Sequence, residues 1–405
     1  MKIAVIGGGA AGMLAAIQIA KSKNEAVILE HTKRLGKKLL LTGSGKCNIS
    51  NEDMSLSHYH GHDSSLKLVK DVLKAVSPNE VLDILKDLGL VTRNKNGYIY
   101  PFSEQAASVL DILRFAVRDY GVKVIDDFEP ESIKRKANSG FVVKSGNKEL
   151  IFDKIIIAAG SSAAPKTGSD GTGYKLAEEL GHHVFKPLCA LTNLECTESF
   201  FPSIAGIRCH AKVTIAGREE TGELQLTKNG ISGINVFNLS YLAAEAMDKG
   251  EKTAATIDFM PELDGDELRN LLLKKRDDFS DRPLEEFFAG ILNKNLGMCI
   301  IKQTGISVKL TDAVNKLTDK DIKRLSEKLK NFTVSVKAAG DFDRCQCVYG
   351  GVDTNEVTEL LESKKNPGIY FAGEILDVNG DCGGYNLTFA FASGILAARA
   401  ACGMM

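Results

Sequence analysis

The sequence predicts an α/β fold: an open parallel sheet, split by a long insertion that carries a small β domain and a helical subdomain. Three observations lead there. The chain opens with a buried-type strand, a glycine-rich turn and a helix. A second glycine turn opens a second helix after residue 384. The long stretch between them changes pattern twice, first to short alternating strands and then to charged, amphipathic helix.

Composition bounds the problem. At 405 residues the chain is expected to hold two or three domains of roughly 100–200 residues each. Lys and Arg total 51 against 52 Asp and Glu, a formal charge of −1, so there is no overall pull toward nucleic acid and no nucleic-acid partner is expected. With 44% hydrophobic and 25% charged residues the composition is that of a globular protein, not of a disordered or fibrous one. No apolar run approaches the roughly 18 residues of a membrane span. Met1 to Ala20 imitates a signal peptide, but Gly7-Gly8-Gly9 interrupt its apolar core. Nine cysteines without a C-x2-C pair read as reduced thiols, and a cytoplasmic location is expected.

Ile3-Ala4-Val5-Ile6 reads as a strand covered on both faces. Gly7-Gly8-Gly9-Ala10-Ala11-Gly12 follows, then a helix from Met13 to Ala20 and a second strand, Ala26 to Leu29, that ends on Glu30. This is strand, G-x-G-x-x-G, helix, strand, acid: the dinucleotide fingerprint. Gly7 permits the tight turn, Gly9 lets the backbone approach a pyrophosphate, and Gly12 lets helix and strand pack closely. The free N–H groups at Ala10 and Ala11 face the phosphates with the positive end of the helix dipole. Glu30 stands 18 residues after Gly12 (30 − 12), placed to accept the hydroxyls of an adenosine ribose.

The fingerprint does not separate FAD from NAD(P); the other end of the chain does. Gly368 to Ala372 reads as a strand, followed by Gly373-Glu374, and Gly383-Gly384-Tyr385-Asn386 opens a helix from Leu387 to about Ala400. Between the two ends, Ile155 to Ala158 reads as another buried strand, finishing on Ala159-Gly160. FAD is long enough to need both glycine turns, with the pyrophosphate on the first helix and the flavin against the second, whose N-terminus would stabilise a reduced, anionic flavin. Non-covalent FAD is the expected cofactor.

Gly36-Lys37-Lys38-Leu39-Leu40-Leu41-Thr42-Gly43-Ser44-Gly45-Lys46-Cys47-Asn48 resembles the signature of a bacterial flavoprotein family that includes BaiN-like bile-acid reductases and aminoacetone-oxidase-like enzymes. Gly168-Ser169-Asp170-Gly171-Thr172-Gly173-Tyr174 and Gly384-Tyr385-Asn386-Leu387 are similar to its other motifs. The resemblance implies a glutathione-reductase-type Rossmann FAD domain with further domains inserted before its last strand. It also implies that Lys38 and Gly43, Ser44, Gly45, Lys46, Cys47 and Asn48 line the pyrophosphate and flavin. Three positions depart from the family pattern: Lys46 stands for Arg, Cys382 for Thr and Val348 for Thr. Read without the family, Lys37, Lys38 and Lys46 offer counter-charge near a phosphate, or a solvated basic loop.

The expected boundaries are residues 1–187 with 340–405 for the FAD domain, 188–261 for a β-rich insert and 262–339 for a helical subdomain. Ala211 to Ile215 and Glu223 to Leu226 alternate like antiparallel strands, Asn235 to Asp248 reads as a helix, and Ile322, Leu325 and Leu329 mark one face of another. Helices are expected at 64–76, 79–88 and 104–119, and a small β-meander at 132–152. Ligands of open α/β sheets bind outside the carboxyl ends of the strands, so the substrate pocket is expected between the flavin and the insert.

There is one G-x-G-x-x-G, so NAD(P)H would bind transiently in the substrate cleft, or electrons would come from the substrate itself. No C-x4-C pair lies beside the flavin loop, and Cys345-Gln346-Cys347 is read as packing cysteines. His58, His60 and His62 read as a polar loop rather than a metal tract, and no metal is expected. Hydride can pass between flavin N5 and a substrate carbon with the protein only orienting the substrate. Lys46, Tyr349 and Tyr385 are the candidates for proton handling, and no catalytic residue is assigned. The expected function is an FAD-dependent oxidoreductase acting on a small organic molecule, either oxidising an amine or reducing an activated C=C bond with NAD(P)H. The alternative is a flavoprotein that modifies or binds RNA.

Overall fold

The computed structural model describes residues 1–136 and 139–404. Lys2–Ile6 is a strand with Ile3, Ala4 and Val5 fully buried, as a run with no polar face demands. It pairs in parallel with Glu25–Leu29 on one side and Lys154–Ile157 on the other. Ile369–Phe371 and Lys123–Ile125 extend the two edges, also in parallel, giving five strands among the described residues. Ile369 follows its parallel neighbour Ile155 by more than two hundred residues of chain.

Two helices define the centre of this unit. Ala10–Lys21 rises from the first glycine turn, and Tyr385–Cys402 from the second; they lie against each other with most residues of both buried. The contact depends on small residues. A Cβ on Gly394 would lie 2.3 Å from the Ala11 carbonyl oxygen, and one on Gly373 would lie 2.9 Å from the Ala11 methyl. At the turn itself, a Cβ on Gly12 would sit 1.9 Å from the Gly7 carbonyl oxygen, so helix and strand meet with no room for a side chain.

The expected flanking elements form as Ser65–Ala75, Pro78–Asp87 and Ala106–Asp119. Ser77 caps the second of these by accepting from the Glu80 amide, with Pro78 in the first turn where its missing N–H costs nothing. Ser132–Arg135, Phe141–Ser145 and Lys148–Phe152 make the antiparallel meander. Two short ladders have no sequence signal. Ser50–Asn51 joins Tyr98–Pro101, and Tyr59–His60 joins Asn379–Gly380. Among the described residues no helix is long and apolar enough to cross a membrane.

The chain divides into two compact units, Met1–Cys189 with Phe342–Met405, and Ala190–Asp341. The second is built on a closed barrel of Leu194–Cys196, Gly230–Ser232, Arg218–Thr227, Arg208–Ile215, Thr253–Asp258 and Phe332–Ala339. Here the expected division at residue 261 fails. Phe332–Ala339, assigned to the helical segment, closes the barrel by pairing with Thr253–Asp258 and Leu194–Cys196. Helices Gly265–Asp278, Lys294–Thr304 and Asp319–Lys330 share one apolar core with the barrel, Ile322, Leu325 and Leu329 included. An amphipathic helix has to bury its stripe somewhere, and here it does so in the existing core.

Gly394→Val should force the two central helices apart. The expected result is a loss of about 1–3 kcal/mol, the usual range for overpacking, read in chemical denaturation followed by far-UV circular dichroism.

Candidate active site

The first glycine turn is shaped partly by the protein and partly by something else. Gly7 has φ +98, and a Cβ there would lie 2.5 Å from the Ala158 carbonyl oxygen, so protein packing alone requires glycine. Gly9 is different. Its φ of −79 suits any residue, and no protein atom lies within 4 Å of where its Cβ would be. Neither backbone nor packing explains a glycine at 9, whereas close approach of a pyrophosphate does.

Glu30 is buried, 7% exposed. Its two carboxylate oxygens accept from the amides of Gly8 (2.8 Å) and Thr32 (2.9 Å). The acid therefore also fastens the loop, and each oxygen keeps a second lone pair with which to meet a ribose hydroxyl. His31 lies between the Glu30 and Asp170 carboxylates, at 3.8 and 3.6 Å.

Lys38 and Glu374, 336 residues apart, form an ion pair at 2.5 Å, both side chains mostly covered. Ser161 and Ser169 hydroxyls lie 3.4 and 3.5 Å from the Lys38 ammonium. Gly160 (φ +76) leads into this corner from Ala159 at the end of the central strand, and Ser169 accepts from the Ser161 amide at 3.2 Å. Gly373 (φ +76) enters from the other side, its amide donating to Ser393 Oγ at 2.9 Å.

Lys38–Gly45 forms tight 3-10 turns that break at Thr42. Gly43, Ser44 and Gly45 then follow with φ of +55, +55 and +86, and all three, with Lys46, are exposed. Cys47 turns inward: it is fully buried, and burial pushes its thiol up to about 11, so it stays protonated near neutral pH. With its amide nitrogen turned toward them, Asn48 bridges the carbonyls of Ser50 (2.9 Å) and Ile99 (3.1 Å). The Cys47 and Asn48 side chains, expected to line the cofactor, thus face protein; a carbonyl-rich turn and a covered thiol leave only their backbone for a ligand.

The second glycine turn needs a similar correction. A Cβ on Gly384 (φ +95) would lie 2.7 Å from the Ser50 backbone, so glycine is required there by protein contact. Asn386 clamps Gly380, accepting from its amide at 2.8 Å and donating to its carbonyl at 2.7 Å. Leu387 is buried. Tyr385 lies beneath the His58 ring, centroids 4.5 Å apart and planes 19° apart, and its carbonyl accepts from the Tyr59 hydroxyl at 3.1 Å. What the turn offers a ligand is the helix N-terminus. Among the described residues, neither this helix nor Ala10–Lys21 has a side-chain cap or an acid in its first turn, so both keep free N–H groups and positive dipole ends.

The three histidines are ordered by two buried acids that the sequence analysis did not link to them. His58 Nδ1 and His60 Nε2 lie 3.1 and 2.8 Å from the two oxygens of Asp381. His62 meets Asp377 through its amide (2.7 Å) and ring (3.1 Å), joined there by Ser65 Oγ at 3.0 Å and the Gly350 amide at 3.1 Å. Tyr349 is buried beside the His62 ring, 4.6 Å between centroids. Cys345 and Cys347 are buried too; contact with Cys189 and burial raise the first thiol, burial the second.

Gly9, the two open helix ends, Glu30 and Lys38 fit a dinucleotide such as FAD. The profile of the family described as HI0933-like protein Rossmann domain matches residues 1–400. A 3-dehydro-bile acid delta(4,6)-reductase of Clostridium scindens is 38% identical, over 99% of this chain and 98% of its own. A ribosomal RNA dihydrouridine synthase of Haemophilus influenzae is 26% identical, over 96% and 95%. A 3-ketosteroid delta1-dehydrogenase of Sterolibacterium denitrificans superposes with a TM-score of 0.51 at 14% identity, covering 100% of this chain and 99% of that one, and shares the fold.

Two substitutions separate ligand from scaffold. Gly9→Val should lose dinucleotide binding while the fold loses no more than about 1 kcal/mol, the cost of a poor N-cap residue. Glu30→Ala should weaken binding at least about tenfold, since charge-assisted hydrogen bonds contribute ~1.5–3 kcal/mol. It should also lower the stability of the ligand-free protein, because the Gly8 and Thr32 amides lose their acceptor. Cofactor retention after gel filtration, set beside denaturation midpoints, reads both.

Proposed function

The chain belongs to the HI0933-like Rossmann family, and from that premise we propose that it is an FAD-dependent oxidoreductase that reduces a C=C bond conjugated to a carbonyl in a small organic substrate. The observation that carries this reading is the pairing of a built dinucleotide site with full-length, 38% identity to a delta(4,6)-reductase. FAD, when bound, supplies hydride chemistry at N5. The chain's residues do the rest. Glu30 holds the ribose, the N–H groups from Gly9 to Gly12 hold the pyrophosphate, and Lys38, fixed by Glu374, offers a hydrogen-bond donor beside them. Gly43 to Lys46 and the turn at Gly384 bound the flavin end.

Reduction is favoured over amine oxidation because the relatives named for reduction and for dihydrouridine synthesis act, in the chemistry their names state, on double bonds next to carbonyls. A net charge of −1 gives no field toward phosphate, so a small molecule is the preferred substrate and uridine-containing RNA is the comparison arm. NAD(P)H binds transiently as electron donor.

Heat-denatured protein should release FAD rather than FMN. Under anaerobic conditions NADH or NADPH should bleach the flavin absorbance, and a conjugated enone or dienone should restore it. Bleaching by amines with no response to enones would reverse the assignment to oxidase. Restoration by RNA alone, lost at high salt, would favour the RNA substrate.

A further inference from the structure

We propose that His58 exchanges the substrate proton in this reaction, with Asp381 as its positioning residue. The proposal rests on the reductase reading above. Adding hydrogen across a conjugated C=C bond takes two transfers: a hydride to one carbon and a proton to its neighbour. FAD, when bound and reduced, would supply the hydride, and a protein acid or water must give the proton.

His58 has the geometry of such an acid. It closes the short 3-10 turn Leu56–His58, and its ring stacks on Tyr385, the first residue of the helix whose N-terminus is assigned to the flavin. The turns are tied together as well: Asn51 Nδ2 donates to the Gly383 carbonyl at 3.1 Å, and the Asp381 amide donates to the His58 carbonyl at 2.9 Å. Asp381 is 3% exposed and takes His58 Nδ1 at 3.1 Å. Nδ1 faces the buried acid, whereas Nε2 faces the exposed Asp53 carboxylate at 3.3 Å, a partner that a substrate can displace, and the His58 side chain is 32% exposed.

The arrangement repeats the logic of an acid behind an imidazole: the carboxylate sets the tautomer and supports the cation when it forms. His60 steadies the other Asp381 oxygen at 2.8 Å, so the acid cannot rotate away from His58 without losing a second partner. Among the described residues, the charged groups meeting the His58 ring are Asp381 and Asp53, the latter exposed and 3.3 Å from Nε2; Tyr385 covers one face. The hydrogen bonds that Asp53 accepts, from the Ser55 amide foremost, hold its carboxyl below the ordinary range. It therefore stands as an anion beside Nε2 until substrate takes that position. In the step itself the Nε2–H bond of the imidazolium breaks as the C–H bond forms, leaving neutral His58 with its proton on Nδ1 toward Asp381, and solvent returns the proton to Nε2.

Two measurements test this on the FAD-loaded protein. Long-range proton–nitrogen spectra of histidine-labelled wild type should show neutral His58 with its proton on Nδ1, the less usual tautomer, reverting in Asp381→Asn. In stopped flow, oxidation of the NADPH-reduced enzyme by a 3-oxo-4,6-diene steroid should slow by about 100-fold or more in His58→Gln, the lower end of general acid contributions. The pH profile should lose one ionisation, while FAD content and the rate of reduction by NADPH stay the same. Asp381→Asn should slow the oxidation step and keep FAD. An Nε2–H tautomer in wild type overturns the proposal, as does a His58→Gln rate within threefold of wild type with the same pH profile. A wild type that holds FAD and is reduced by NADPH but not reoxidised by the dienone overturns the reductase reading, and the role of His58 with it.

Discussion

The nucleotide-binding unit depends on the close crossing of its first and last helices. Ala11 faces Gly373 and Gly394 with no space for another carbon. One ligand can reach two helix N-termini only if the helices themselves come close, and backbone-to-backbone approach at this distance excludes any side chain larger than hydrogen at one of the crossing positions. The small residues at 11, 373 and 394 are therefore as much a part of the site as the glycines of the fingerprint, although they lie behind it.

The same joining of chain ends recurs in the charges. Glu374, Asp377 and Asp381 stand within eight residues near the C-terminal end, all well covered. Each is answered from the first seventy residues: Glu374 by Lys38, Asp377 by His62 and Ser65, Asp381 by His58 and His60. A covered carboxylate without such partners is strongly destabilising, so these acids tie the late segment to the early one. Asp377 and Asp381 each have more than one partner, so the loss of a single one leaves the acid still answered.

Most of the framework was legible in the residues. Fully apolar runs announced the central strands, and helical periodicity announced Ser65–Ala75, Ala106–Asp119 and Asp319–Lys330, because burial on one or both faces writes itself into spacing. The limits were physical too. Phe332–Ala339 was missed because its strand partners begin at Leu194 and Thr253, and no local pattern records a pairing across that separation. The two-residue ladders are too short to carry a period. Side-chain direction was the other loss: Cys47, Asn48 and Asn386 lie beside the site but turn into the protein, and Gly384 answers to Ser50. The glycine fingerprint and Glu30 pointed to a dinucleotide from spacing alone, whereas the role of the 36–48 segment came from its family resemblance.

The order of strands in the parallel sheet has a consequence for how the protein is made. The sheet begins with residues 2–6 and ends, at one edge, with Ile369–Phe371. During synthesis Lys154–Ile157 can dock on the first strand early, but its outer edge stays unpaired until more than two hundred further residues have emerged. Ala190–Asp341, with its own apolar core, is complete before that edge is covered. The nascent chain thus carries an open, Ile-rich strand edge past a finished barrel, and open edges of this kind recruit other strands. Lys154 at the start of that strand and the three isoleucines after it make the interval before residue 369 the point at which this chain is most exposed to misassembly.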